Sequence, residues 1–218
     1  MFKGTSASAG IGIGKAVIVE EAELVITRNE VADAEAEIQR FKGALEKTIA
    51  ATQKMADDLA SRVGEKEAEI MQGHMMLLSD PMLTGEIENS VKNDKVNCEF
   101  AIENVCNMYA DMFASMGDEL MQQRATDMRD IKVRMQRTLM GLESVDVSLL
   151  PKGSILVAKD LTPSMTAGIN PENVSGIVTE LGGKNLTQRY FSKGTGDPGS
   201  SCSKWPDGCS KGRRQCSP

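Results

Sequence analysis

Histidine is nearly absent from this chain: His74 is its one imidazole, so no second histidine exists to pair with it. No run of 18 or more apolar residues is present, which excludes an α-helical membrane span, and Met1–Lys15 lacks the basic start and apolar core of a signal peptide. A cytoplasmic protein is expected, and Cys98 and Cys106, set in a helical pattern, suit reduced, partly buried thiols. After Lys184 the aliphatic side chains almost vanish: Leu186 is the only Leu, Ile, Val or Met among residues 185–218. Such a segment cannot offset a backbone entropy cost of roughly 1–2 kcal/mol per residue, and disorder is expected there.

The change at Lys184 extends to charge and sulfur. All 14 methionines lie at or before Met165, while Cys202, Cys209 and Cys216 account for three of the five cysteines. Residues 185–218 hold six basic and two acidic side chains, a net +4, which leaves the body at −10. An acidic body argues against nucleic acid and for a partner with a basic face. The tail cysteines have neither Cys-x-x-Cys spacing nor a nearby histidine, so a zinc site is not expected, and a basic tail diluted by Gly, Ser and Pro is a weak nucleic-acid footprint. A shifted reading frame after Lys184 accounts for the break most simply.

What is there reads as helix flanked by strand. Gly10, Gly12 and Gly14 precede the strand-like Ala16–Val19; a nucleotide loop should instead follow a strand and open a helix, so a tight turn feeding a strand is the better account. From Asn29, Val31, Ile38, Phe41, Leu45, Ile49, Met55, Leu59 and Val63 recur at helical steps, giving one long amphipathic helix to about Gly64. A second helix is expected over Lys66–Leu78. Asp80-Pro81 then caps a third over Met82–Val91. A fourth starts at Asn97 or Cys98, with Ala101, Val105, Met108, Met112 and Met116 on its inward stripe. The fifth, Glu119–Met140, carries Leu120, Met128, Ile131, Met135 and Leu139 inward and closes on Gly141. Val147–Leu150, Ile155–Ala158 and Val174–Thr179 read as strand and turn, with Thr162, Pro163, Ser164 and Thr166 as a helix-capping turn.

The expected fold class is α/β plus all-α: a helical bundle, 29–141, inserted into an incomplete α/β domain formed by 1–28 and 142–184, followed by a disordered tail, 185–218. On the last helix, Arg124, Asp127, Arg129 and Asp130 form a charge run that helix pairing would satisfy. Arginines beside them keep both aspartates ionised, which argues against a catalytic carboxylate pair.

Five spaced motifs carry a resemblance: SASAGIGIGKA at 6–16, GHMMLLSDPML at 73–83, RATDMRDI at 124–131, AKDLTPSMTA at 158–167 and ELGGK at 180–184. In this order they resemble enzyme I, the phosphoenolpyruvate-protein phosphotransferase family that starts the bacterial sugar-uptake phosphorelay. The resemblance covers residues 1–184. It implies a histidine on a phosphohistidine-type α/β domain that takes a phosphoryl group from phosphoenolpyruvate, bound with Mg²⁺ on a C-terminal domain. The histidine then passes the group to a histidine-containing phosphocarrier protein docked on the helical domain. Imidazole suits the role, since its ring nitrogen is nucleophilic near neutral pH and its phosphoramidate stays transferable.

The family pattern places that histidine shortly after the paired glycines. Gly182, Gly183 and Lys184 match, Asn185 and Leu186 do not, and Thr187 occupies the histidine position. A threonine hydroxyl without a paired base is a weak nucleophile and would form a stable ester. With the C-terminal domain also outside this sequence, the chain alone is expected to be inactive, to need no cofactor and to be monomeric. The alternative is a non-catalytic module that docks the phosphocarrier; a nonfunctional fragment is the third reading. By resemblance, Glu65, His74, Met76, Leu77, Leu83 and Arg124 fall on the docking surface. Ordinary bundle packing and solvated charge account for the same residues, and His74 reads more simply as a packed or hydrogen-bonded helix residue.

Overall fold

The computed structural model describes residues 4–6, 11–20, 24–62, 64–142, 147–180 and 199–202. The chain divides into two compact units, one of 1–22 with 145–218 and the other of 23–144. The architecture is α/β plus all-α.

The helical unit begins with an extended stretch. Residues 24–33 are non-helical, because Asn29–Val31 pairs with Lys95–Asn97: Val31 N–H donates to the Lys95 carbonyl at 2.9 Å, and Asn97 N–H to the Asn29 carbonyl at 3.0 Å. Helix α1, Ala34–Arg62, starts only where Asp33 Oδ1 can accept from Ala36 N–H at 3.0 Å. Helix α2 spans Glu65–Leu78. Asp80, accepting from Met82 N–H at 2.8 Å, and Pro81 in the first turn open α3, Pro81–Asp94, as the local sequence implies.

Helix α4, Cys98–Ser115, and α5, Glu119–Leu139, complete the bundle. Gly141 ends α5 at φ 66°: its N–H donates to the Thr138 carbonyl at 3.2 Å and Leu142 N–H donates to that of Arg137 at 2.9 Å, the paired bonds of a Schellman motif. Ile38 and Phe41 of α1, Leu78 of α2, Leu83, Ile87 and Val91 of α3, Cys98, Ala101 and Ile102 of α4, and Met128, Ile131 and Met135 of α5 form one buried core.

The inward stripe expected for α4 is corrected by the structure. Ala101 and Val105 are buried, but Met108, Met112 and Met116 are 53, 43 and 55 % exposed. The helix buries Cys98, Ala101, Ile102, Val105, Cys106 and Ala110 instead. Apolar residues occur on more than one side of α4, and small side chains win the buried face because they let neighbouring backbones approach. Polar links then fix α4 to α5: Gln136 Nε2 donates to Glu103 Oε2 at 2.8 Å, and Lys132 Nζ to Glu103 Oε1 at 2.8 Å and Asn107 Oδ1 at 3.0 Å. Leu120, in the first turn of α5, also faces out.

In the α/β unit, β2, Lys15–Val19, β3, Ser154–Ala158, and β4, Val174–Thr179, run parallel. Val19, Val147, Leu150, Leu156, Met165, Ile169 and Val174 make its core. The glycines before β2 serve close packing: a Cβ on Gly12 would collide with the Ser175 carbonyl oxygen, and one on Gly14 with that of Gly153. Thr162 caps the short helix α6, Pro163–Gly168, accepting from Met165 N–H at 3.3 Å. Within the segment expected to be disordered, Gly199–Cys202 forms β5, parallel to β4 and antiparallel to β1, Gly4–Ser6. A strand there satisfies ladder groups of β4 that would otherwise be an open edge. The rest of 185–218, including Thr187, lies outside the described residues.

Candidate docking face over a buried histidine

Helix α2 meets α5 through a polar cluster rather than an apolar seam. His74 is fully buried, with Nε2 3.2 Å from Asp127 Oδ1 and Nδ1 3.5 Å from Asp130 Oδ2. Neither approach has the alignment of a hydrogen bond. Asp127 and Asp130, one turn apart on α5, face the same side and grip one imidazole between them. Deeper in the bundle, Arg134 of α5 donates from Nη2 to Thr52 Oγ1 of α1 at 2.6 Å. Burial lowers the pKa of this guanidinium, and the charge of Asp130 opposes the shift. Asp127, Asp130 and Arg134 of the last helix thus face side chains of α1 and α2.

This geometry decides what His74 can do. Phosphoryl transfer requires a free ring nitrogen and in-line approach of a phosphoryl donor. Both nitrogens of His74 face carboxylates, with no solvent path at the side chain, so the chain's single histidine is built as a structural tie. The divalent cation implied by the resemblance finds no ligand set here either: no group of three or more His, Cys, Asp or Glu converges among the described residues, and Asp127 and Asp130 are turned toward an imidazole.

The other residues singled out from the sequence separate by exposure. Glu65 opens α2 in solvent, and Met76 is 74 % exposed, with Leu77 partly buried beside it. Leu83 is 3 % exposed and belongs to the core with Leu78 and Ile87. His74 and Leu83 are therefore removed from the surface a partner could touch: α5 covers the first, and the inward side of α3 takes the second.

Arg124 reaches back across α2. A Cβ on Gly73 would lie 2.6 Å from Arg124 Nη1, so the guanidinium rests where Gly73 has no side chain. Its Nη1 is 3.6 Å from Asp127 Oδ2. Gly73, Met76 and Leu77 stand at i, i+3 and i+4 on one helix face, which sets a positive charge one turn from an exposed thioether.

Sequence reasoning missed Met82, 69 % exposed in the first turn of α3, and the close approach of the Arg124 guanidinium to Gly73 and Asp127. Met82 shares the GHMMLLSDPML run with Met76, and that proximity was the available signal. Among the described residues, no helix is long and apolar enough to cross a membrane.

Comparison with known proteins agrees with this architecture. The model of PEP-utilising enzyme, N-terminal, matches residues 3–124, and that of PEP-utilising enzyme, mobile domain, matches 150–186. Phosphoenolpyruvate-protein phosphotransferase of Bacillus subtilis (strain 168) is 38 % identical over 183 residues, 84 % of this chain and 32 % of that protein. The protein of the same name from Listeria monocytogenes is 40 % identical over the same shares. The chain thus spans about a third of the length of the curated relatives it matches. A solution structure titled as enzyme I superposes with a TM-score of 0.82 at 34 % identity, covering 92 % of this chain and 82 % of that one. An N-terminal domain titled as enzyme 1, nitrogen, shares the fold, with a TM-score of 0.63 at 23 % identity. With both family models in chain order over the two units, the chain belongs to the PEP-utilising enzymes and matches the N-terminal part of enzyme I, the phosphoenolpyruvate-protein phosphotransferase.

Proposed function

We propose that the helical unit, 23–144, is the docking platform for a histidine-containing phosphocarrier protein in a phosphoenolpyruvate-dependent relay, and that this sequence does not itself carry the transferred phosphoryl group. The supporting observation is the exposure of Met76 and Met82, 74 and 69 %, in a bundle that buries Met71, Met128 and Met135 to 1 % or less. Large thioethers on either side of the α2–α3 turn, with the Arg124 guanidinium against Gly73 one helical turn from Met76, offer an adaptable apolar contact with a charged margin. Glu65, Met76, Leu77 and Arg124 are the proposed contacts, and His74 and Leu83 support them from beneath.

The reading of inactivity rests on the chemistry of His74 and on the absence of any other imidazole. Magnesium and phosphoenolpyruvate are assigned no residue of this chain. A cytoplasmic location is proposed from the kinship with enzyme I.

Two measurements test the proposal. In an NMR titration of the labelled chain with the phosphocarrier, shift changes should centre on Glu65, Met76, Leu77, Met82 and Arg124. Unperturbed spectra at millimolar protein would remove the docking function. With labelled phosphoenolpyruvate, Mg²⁺ and phosphocarrier, the chain should acquire no acid-labile label, and label on His74 would refute its structural assignment.

A further inference from the structure

We propose that Gly73 and Asp127 are positioning residues for Arg124: the bare backbone of Gly73 and the outer oxygen of Asp127 together seat the guanidinium on the docking face. The proposal rests on the docking reading given above and adds to it the device that places its cation.

Arg124 belongs to α5, yet its guanidinium lies on α2. With a Cβ at Gly73, Nη1, Cζ and Nη2 of Arg124 would stand 2.6, 3.6 and 3.7 Å away, closer than the first atom could remain. Gly73 is in the interior of α2, where glycine is unfavourable relative to alanine, and it is buried under this arginine. The local helix gains nothing from glycine; the close approach requires it.

Asp127 supplies the second restraint. Oδ1 lies against the buried His74 Nε2 at 3.2 Å and Oδ2 stands 3.6 Å from Arg124 Nη1, so one carboxylate is anchored inside and directs its other oxygen outward. The Arg124 side chain remains 36 % exposed and keeps donors for an anionic group on the partner. Holding an arginine in place before contact spares part of the rotamer entropy lost on binding.

The test uses the full chain and unphosphorylated phosphocarrier, with affinity read by NMR titration, folding by thermal melting and the guanidinium by its Nε–Hε resonance. Arg124→Ala should weaken docking about tenfold. Gly73→Ala should cause a comparable loss with a Tm that is unchanged or raised and a displaced Arg124 Nε–Hε signal. Combining the two should weaken docking no further than either alone.

Asp127→Asn keeps the shape but weakens the ion pair, and should cost two- to fivefold, as expected for a partly exposed pair, with the same signal moved. It carries the test if Gly73→Ala fails to fold. Unchanged affinity in Arg124→Ala overturns both the docking reading at this face and the proposal. Loss in Arg124→Ala with wild-type affinity in either Gly73→Ala or Asp127→Asn overturns the proposal alone.

Discussion

Helix α4 is capped from another helix: Glu37 Oε1 of α1 accepts from the Cys98 N–H at 2.8 Å, while Asn97, in the N-cap position, makes no side-chain cap. Arg40 holds Glu37 in this pose, donating from Nη2 to its Oε1 at 2.6 Å, and clasps Glu99 with two bonds of 2.8 Å. The Arg40 hydrogen bond, with the Cys98 N–H adding to it, lowers the Glu37 pKa below the ordinary 4.5 against the opposing effect of burial. The unfolded chain therefore takes up this proton more readily. Stability from the contact is complete above pH 4.5 and is lost as pH falls through the lower folded value.

Glu37→Ala should cost about 1–2 kcal/mol near neutrality, combining a lost cap and a charge-assisted pair that water partly screens. The gap between wild type and variant should narrow in acid. Urea unfolding followed by helical circular dichroism, at neutrality and well below pH 4.5, measures it; a gap independent of pH would assign the loss to packing.

The same region shields two thiols. Cys98 and Cys106 are free and buried, and burial pushes both thiols up to about 12. Cys98 Sγ also donates to the Glu37 carbonyl at 3.1 Å. Alkylation mapped by mass spectrometry should find both unmodified in the native chain and both modified in denaturant. Because the folded values lie above the ordinary 9.0, their contribution is intact below pH 9.0 and is lost as pH rises toward 12. Fast alkylation of either thiol under native conditions would contradict its burial.

How much of this was legible in the chain depended on the range of the interaction. Asp80-Pro81 and Gly141 announced their helix ends because capping is decided within a few residues. The GHMMLLSDPML run was readable as a string, but not which of its residues face out: His74 is buried against α5 and Leu83 in the bundle core, and neither fact is local. The Glu37 cap joins residues 61 apart and leaves no local signature. In α4 the expected stripe held at Ala101 and Val105 and failed at Met108, Met112 and Met116, since apolar residues offered two faces and the buried one continues through Ile102, Cys106 and Ala110.

Methionine substitutions test that choice of face. Met128→Ala and Met135→Ala, each 1 % exposed in the wild type, should cost about 2–4 kcal/mol. Met108→Ala and Met112→Ala should stay within about 0.5 kcal/mol of wild type. Chemical denaturation of the four variants separates the groups, and a large loss at Met108 or Met112 would return these side chains to the core.

Glycines with equal local sequence appeal should respond with opposite signs. Gly43 in α1 and Gly85 in α3 have helical surroundings and open space where a Cβ would be. Alanine removes backbone freedom from the unfolded chain at no steric cost there, so Gly43→Ala and Gly85→Ala should each stabilise by about 0.5–1 kcal/mol. Gly141 also has open space, but its φ of 66° is left-handed, a conformation that costs an L side chain roughly 1 kcal/mol or more. Gly141→Ala should therefore destabilise by about that amount while loosening the bonds to Arg137 and Thr138 that close α5. Thermal melts of the three variants decide the matter. A gain at Gly141 equal to that at Gly43 would mean that the end of α5 can relax out of its left-handed turn, and the Schellman motif would then not be what terminates the helix.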